Sequence, residues 1–112
     1  MKAEFTVEEA PALQLDDACS AAVLRIGGEI DSSNAAEFEA LVLSRSLSER
    51  LVLDLTPVLY CDSAAFAALD RALAKRDVAL ALGPGNPVRR AALIMGLPLH
   101  ESVESAARAL QG

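Results

Sequence analysis

Short apolar runs alternate with longer, helix-patterned segments along this chain, and this alternation limits the possible folds more than any other feature. The two clearest runs, residues 51–55 and 78–82, have the composition of strands that are buried on both faces. Strands that alternate with helices of about 10–15 residues are joined by crossover connections. The pattern therefore predicts an α/β fold with a mixed, mostly parallel central sheet and helices packed against it.

The predicted order of elements is β-β-α-β-α-β-α-β-α, in a single domain that spans residues 1–112 with about four α-helices. Residues 1–18 are expected to be irregular apart from a possible first strand at 4–8. The other strands are predicted at residues 21–26, 51–55, 78–82 and 97–100. The helices are predicted at residues 33–47, 63–76, 87–96 and 102–110, and residues 58–62 are interpreted as a link.

Two helix signals support these assignments. Phe38, Leu41 and Val42 follow one another at the i, i+3 and i+4 spacing that makes an apolar stripe on one side of a helix. Asn86 followed by Pro87 predicts a capping residue and a first-turn proline for the third helix.

Composition narrows the range of partners. Acidic residues number 16 and basic residues 10, so the net charge is −6. Nucleic acid is not expected as a partner, because binding to a phosphate backbone needs clustered Lys and Arg. The chain has 22 Ala and 18 Leu but three Phe, one Tyr and no Trp, which predicts an aliphatic core and few side chains that could stack on bases or sugars. The charge is also compatible with a soluble monomer.

The cysteines and the apolar runs indicate the compartment. Cys19, Cys61 and the single His100 lack the spacing of a zinc site, and two cysteines do not make a disulfide scaffold, so both thiols are expected to be reduced. Residues 1–5 show no signal-peptide pattern, and no apolar run approaches the roughly 20 residues of a membrane helix. We therefore expect a cytoplasmic protein with no membrane insertion and no cofactor.

Two loops of the predicted sheet carry the polar groups that chemistry or recognition would need. Residues 28–31 leave the second strand, and residues 60–65 precede the second helix. Ligands and partners of such sheets meet the loops at the carboxyl ends of the strands, so Asp31, Asp62 and Ser63 are expected to converge there. The simpler alternative is structural: Asp62 caps the helix, and Ser63 is merely tolerated in its first turn.

Several segments resemble a known family. They are Gly28-Glu29-Ile30-Asp31, the strand Leu51-Val52-Leu53-Asp54-Leu55, Cys61-Asp62-Ser63-Ala64-Ala65, residues 87–93, Met95-Gly96-Leu97 and residues 102–107. In order and spacing they are similar to the STAS domain of anti-sigma-factor antagonists, which also occurs in sulfate transporters. The resemblance covers residues 20–110.

The resemblance implies a bacterial regulator that binds an anti-sigma factor and so releases a sigma factor. In the family the anti-sigma factor is also a serine kinase; the serine that it phosphorylates corresponds to Ser63, and a phosphatase restores binding. Asp31 and Asp62 match the acidic residues that flank this serine. The partner-binding residues implied are Asp31, Ser32, Ser33, Asn34, Asp62, Ser63, Ala64 and Phe66.

One position departs from the family pattern: Ala65 stands where a glycine is usual. An alanine restricts the backbone there, and its methyl group is expected at a point that a partner or kinase loop approaches closely.

Three other functions are alternatives to this interpretation of the sequence. The first is a STAS subunit of a lipid ABC transport complex that binds its ATPase without a phosphoswitch, as standalone STAS proteins with a similar Asp62-Ser63-Ala64 stretch do. The second is a stressosome-type scaffold, for which the 18 residues before the second strand are too few to form the usual additional domain. The third is an enzyme, which is disfavoured because the loops with Asp31 and Asp62 contain no histidine and the chain shows no nucleophile elbow.

Overall fold

Six strands form one sheet through the centre of the computed structural model, which describes residues 3–16, 19–46, 49–75 and 77–111. The strands are β1 (Phe5–Asp16), β2 (Cys19–Ile30), β3 (Arg50–Asp54), β4 (Val58–Cys61), β5 (Val78–Ala81) and β6 (Leu99–His100). The helices are α1 (Ala35–Ser46), α2 (Ser63–Lys75), α3 (Arg89–Ile94) and α4 (Val103–Gln111).

The strand pairing confirms the predicted α/β fold with a mixed, mostly parallel sheet. The order across the sheet is β1-β2-β3-β5-β6, and β4 also pairs with β2. β1 and β2 form an antiparallel hairpin, whereas every other pair is parallel. Helices connect the parallel strands as crossover connections require.

The first strand is longer than predicted, because residues expected to be irregular pair with β2 as far as Asp16. The register shifts between Ala10 and Leu13, on either side of Pro11. Proline has no N–H to donate to a sheet, so this irregularity lets the strand continue past it. The predicted irregular segment also included residues 1–2 and 17–18, which lie outside the described residues.

The interpretation of residues 58–62 as a link was wrong, because residues 58–61 form β4. β3 pairs with β2 along the first half of β2 only, from Ala21 to Arg25. The far end of β2 is therefore free to pair with a second strand, and β4 occupies that place alongside Gly28, Glu29 and Ile30.

The predicted third helix began too early. α3 starts at Arg89, and its N-cap Val88 makes no side-chain capping bond. The Asn86 side chain accepts a hydrogen bond from the Val88 N–H at 2.7 Å. Its amide also donates to the carbonyls of Leu55, Thr56 and Val58, at 3.3, 2.8 and 3.1 Å. Asn86 thus joins the β5–α3 loop to the β3–β4 connection.

The remaining helices and the last strand agree with prediction to within a few residues at their ends. The predicted ends of the first two helices, residues 47 and 76, lie outside the described residues. None of the helices in the described ranges is long and apolar enough to cross a membrane.

The two buried strands separate two hydrophobic cores of different character. Leu51 and Leu53 of β3 face the larger core, which the sheet forms with α1, α2 and α3, whereas Val52 faces the smaller one. The smaller core lies against α4 and contains five alanines of the sheet and helix besides valines: Ala21, Ala79, Ala81, Ala106 and Ala107. Alanine allows α4 to approach the sheet closely, which explains part of the high alanine content of the chain.

Candidate functional site

Two loops meet where β2 and β4 end side by side. Ile30 and Cys61 are partners in the parallel register, and the Asp62 N–H donates to the Ile30 carbonyl at 3.3 Å. The Ser32 N–H in turn donates to Oδ2 of Asp62 at 3.1 Å. The geometry therefore brings together Asp31, Asp62 and Ser63, as the sequence predicted. We call Asp31, Ser32, Ser33, Asp62 and Ser63 the Ser63 site.

Asp62 links the two loops and caps α2 with the same carboxylate. Its Oδ1 accepts the N–H of Ala65 at 3.1 Å, which is the N-cap bond that the sequence predicted. Its backbone carbonyl accepts the N–H of Phe66, the first bond of the helix. Ser63 is the first residue of α2, and its side chain is exposed. The hydroxyl of Ser63 is therefore accessible to a protein that docks on this edge.

Asp31 is held in place by the loop that it begins. Its Oδ1 accepts hydrogen bonds from the Ser33 hydroxyl at 2.6 Å and from the Ser33 N–H at 2.7 Å. These bonds lower the pKa of the Asp31 carboxyl below its ordinary value, because they stabilise the charged form. The Ser63 site therefore carries a fixed negative charge at Asp31 at neutral pH.

Asn34 belongs to the interior of the loop, not to its surface. The side chain is 3% exposed. Its amide nitrogen donates to the carbonyls of Ala3 and Glu29 at 2.9 and 3.0 Å, and its oxygen accepts the Asp31 N–H at 2.9 Å. All of its polar atoms have internal partners, so the expectation that Asn34 contacts a partner is corrected: it shapes the loop that presents Asp31.

Two further residues implied by the resemblance also pack inward. Phe66 is 5% exposed and belongs to the larger core, and Ala64 is partly buried against the same core. Ala65 is fully buried there. Its methyl group therefore contacts the core and does not lie in the path of a partner, contrary to the expectation from sequence. Among the described residues no non-glycine residue has a positive φ, so alanine at this position is not strained.

Cys61 lies directly before the capping aspartate and is half-buried. Burial, together with the neighbouring Asp62 carboxylate, raises the pKa of the Cys61 thiol to about 12. The side chain is therefore a neutral thiol at physiological pH, and the nucleophilic thiolate is scarce.

The structure also places residues that sequence reasoning missed. Glu29 of β2 and Tyr60 of β4 are partners in the sheet register, and both are exposed. The sequence pattern does not predict this pairing, because it assigns residues 58–62 to a link. A single tyrosine two residues before Asp62, in a chain with few aromatics, was the feature that could have drawn attention.

The single histidine lies far from this site. His100 is in β6, which is separated from β2 by β3 and β5. Neighbouring strands are about 4.8 Å apart, so β6 lies on the order of 14 Å from β2, the strand that leads into the Ser63 site. Within residues 3–16, 19–46, 49–75 and 77–111, no three His, Cys, Asp or Glu residues form a group that could hold a metal ion.

Comparisons with known proteins bear on this geometry. The family model described as "Mlab, STAS domain" matches residues 13–98. A search of curated proteins returned no match. An anti-sigma factor antagonist from Mycobacterium paratuberculosis has a similar structure, with a TM-score of 0.71 and 20% identity over 97% of this chain and 96% of that one.

Two other solved structures share the fold at similar sequence distance. The unphosphorylated anti-sigma factor antagonist SpoIIAA has a TM-score of 0.56 and 16% identity, covering 91% of this chain and 92% of its own. An antisigma-factor antagonist STAS domain from Rhodobacter sphaeroides has a TM-score of 0.51 and 21% identity, covering 70% and 84%. At these identities the likeness shows a common fold.

Proposed function

The chain belongs to the STAS domain family, and we propose that it is an anti-sigma-factor antagonist whose binding is switched off by phosphorylation of Ser63. In this proposal it binds an anti-sigma factor that is also a serine kinase, and a sigma factor is released. A phosphatase restores the binding form. The observation that carries the proposal is the convergence of two loops on an exposed Ser63, through the bond from the Ser32 N–H to Asp62.

The charges around Ser63 support a switch by repulsion. A phosphoserine carries about −1.5 to −2 charges at neutral pH. On Ser63 it would stand beside the carboxylates of Asp31 and Asp62, each of which is oriented by bonds from backbone N–H groups. A partner surface fitted to a neutral hydroxyl would then face a group of three anions, so it would bind more weakly.

The start of α2 offers little compensation for that charge. The helix dipole stabilises an anion at its N-terminus by only about 0.3–1 kcal/mol at the surface. The Ala65 N–H, which a phosphate could otherwise use, already donates to Asp62. The phosphate would therefore remain largely at the surface, and the proposed switch needs no refolding of the domain.

The decisive experiment measures binding to a purified anti-sigma factor of the serine-kinase class encoded in the same genome. We expect Ser63→Ala to bind as wild type does and Ser63→Glu to bind at least about tenfold more weakly, a loss of about 1.4 kcal/mol. Ser44→Glu is the matched control. Ser44 is an exposed serine near the carboxyl end of α1, whereas the Ser63 site lies at the amino ends of α1 and α2. If Ser63→Glu binds as tightly as Ser44→Glu, the electrostatic switch is wrong.

Modification is tested separately by incubating the two proteins with ATP and locating the phosphate by mass spectrometry. We expect one phosphate, on Ser63, and none on the Ser63→Ala variant. Phosphorylation confined to another serine, or none at all with an anti-sigma factor that binds the chain, would contradict this part of the proposal.

A second candidate is a STAS subunit of a lipid ABC transport complex that binds its ATPase without a phosphoswitch. The observation in its favour is that Ala64 and Ala65 follow Ser63. Both alanine side chains pack toward the larger core, so Ser63 carries the one hydroxyl group of residues 63–65. The matching family model is described as "Mlab, STAS domain". This candidate predicts binding to the transporter ATPase, with wild type and Ser63→Ala equal and no phosphate transferred from ATP to Ser63.

A further inference from the structure

At the end of β2 and β4, one face of the sheet lies beyond the smaller hydrophobic core. On the side of the smaller core, α4 packs mainly across β5, β3 and β1. Ile30 and Cys61 pack against the larger core, and successive residues of a strand point to opposite faces. The register shift between Gly28 and Glu29 lies before these pairs, so their neighbours Glu29 and Tyr60 point to the α4 side of the sheet, at the end of β2 and β4.

We call Glu29, Leu59 and Tyr60 the strip. It exposes apolar surface beside the charge of Glu29. Tyr60 is 52% exposed and the adjacent Leu59 is 67% exposed. A tyrosine combines a large apolar ring with a polar hydroxyl, and it is among the residues that contribute most at protein interfaces. Large exposed side chains that lie together more often mark a contact surface than scattered single ones do.

The strip is close enough to Ser63 to share one partner with it. Ser63 is three positions after Tyr60, a distance of at most about 10 Å along an extended chain. A standard interface buries about 800 Å² on each partner, which corresponds to a disc of roughly 16 Å radius. The exposed polar residues of the Ser63 site are too few to fill such an area, so a protein centred there would extend around the end of β4, from the α2 side, where Ser63 lies, to the α4 side, where Tyr60 points.

The charge of this region indicates what the partner offers. Residues 26–44 and 51–70 contain no Lys or Arg, whereas Glu29, Asp31 and Asp62 are all acidic. A complementary surface therefore presents an apolar pocket flanked by lysine or arginine side chains.

We infer that Tyr60 is the central apolar contact of the surface that the anti-sigma factor buries, with Glu29 beside it accepting a lysine or arginine of that partner. This inference rests on the proposed function, and it adds a second element to the recognition of Ser63. The proposed switch acts at Ser63, while Tyr60 supplies affinity that does not depend on the phosphorylation state.

The test measures the dissociation constant of the full chain with the same purified anti-sigma factor. We expect Tyr60→Ala to weaken binding by about tenfold or more, as the loss of an interface anchor does, and Tyr60→Phe to stay within about twofold. Glu29→Gln is expected to weaken binding about threefold at low salt and to reduce its salt dependence. Ile94→Ala is the matched control, because Ile94 is 75% exposed but belongs to α3 on the other side of the sheet.

The outcomes separate this inference from the function on which it rests. If wild type binds and Ser63→Glu does not, but Tyr60→Ala binds as wild type does, the inference is overturned and the proposed function stands. If Ile94→Ala weakens binding and Tyr60→Ala does not, the partner contacts the α3 side of the sheet and not the side to which Tyr60 points. The inference is again overturned. If wild type does not bind the anti-sigma factor, both fail. Thermal unfolding of each variant verifies that the fold is intact.

Discussion

The carboxylate of Asp62 accepts the backbone N–H of Ser32 at 3.1 Å, although 30 residues separate the two in the chain. The same carboxylate caps α2 through Ala65. One side chain thus fixes the start of a helix and the position of a neighbouring loop. The orientation of Asp31 relative to Ser63, on which the proposed switch depends, follows from this double use.

Replacement of Asp62 by alanine is expected to destabilise the fold by about 2 kcal/mol. Loss of an N-cap costs about 1 kcal/mol, and loss of the bond to the Ser32 N–H costs about as much again. The free energy of unfolding by urea measures the effect. Asp70→Ala, an exposed aspartate within α2, is the control and is expected to stay within about 0.5 kcal/mol of wild type. Equal losses in the two variants would argue against the double role of Asp62.

Asn34→Ala is expected to lower the free energy of unfolding by about 1–3 kcal/mol. The substitution leaves the Ala3 and Glu29 carbonyls and the Asp31 N–H without their partner in a buried position. Ser32→Ala is the neighbouring control, because the described bond of Ser32 to Asp62 uses its backbone N–H, which alanine retains. A loss at Asn34 no larger than that at Ser32 would mean that the loop does not depend on the buried amide.

Two glycines that both have a positive φ are expected to respond differently to alanine. Gly28 and Gly85 both have positive φ, at 83° and 96°. A Cβ on Gly28 would lie 2.5 Å from the Glu4 carbonyl oxygen, whereas one on Gly85 would meet nothing within 4 Å. Gly85→Ala should therefore cost about 1–2 kcal/mol from its backbone conformation alone, and Gly28→Ala should cost more because β1 must also shift. Thermal denaturation compares them, and the reverse order would contradict the β1–β2 register.

The Cys61 thiol is expected to resist alkylation in the folded protein. A rise in pKa from 9.0 to about 12 lowers the thiolate fraction at pH 8 by roughly 1000-fold. Because the folded form holds its proton more tightly, this group adds stability below pH 9, and that contribution is lost as the pH rises from 9 toward 12. Iodoacetamide kinetics on a Cys19→Ser background, with and without denaturant, measure the difference. Similar rates in the folded and unfolded chain would show that Cys61 is not protected.

Ala65→Gly is expected to destabilise the protein without improving recognition of Ser63. Glycine in a helix costs about 1 kcal/mol relative to alanine, and the lost methyl group is buried in the larger core. The dissociation constant for the anti-sigma factor should stay within about twofold, because the methyl group does not reach the surface. Tighter binding by the glycine variant would contradict this prediction and would indicate that the Ala65 methyl group obstructs a partner.

Local sequence patterns were sufficient to predict the elements whose residue types follow which of their faces are buried. β3 and β5 are apolar at nearly every position because both faces are covered, and α1 shows its stripe because one face is buried. The N-cap role of Asp62 was predictable for the same reason, since the bond to Ala65 closes within three residues. These interactions are short in sequence, so residue type and spacing determine them.

The sequence by itself determined the class of fold, the order of its main elements and the edge on which Asp31, Asp62 and Ser63 meet. Only the tertiary structure decided that residues 58–61 form a strand, that Asn34 and Phe66 point inward, and that Glu29 and Tyr60 stand side by side. The physical reason is that each of these depends on a neighbour distant in the chain. β4 exists because β3 leaves the end of β2 unpaired, and a side chain is buried or exposed according to which strand or helix lies opposite it.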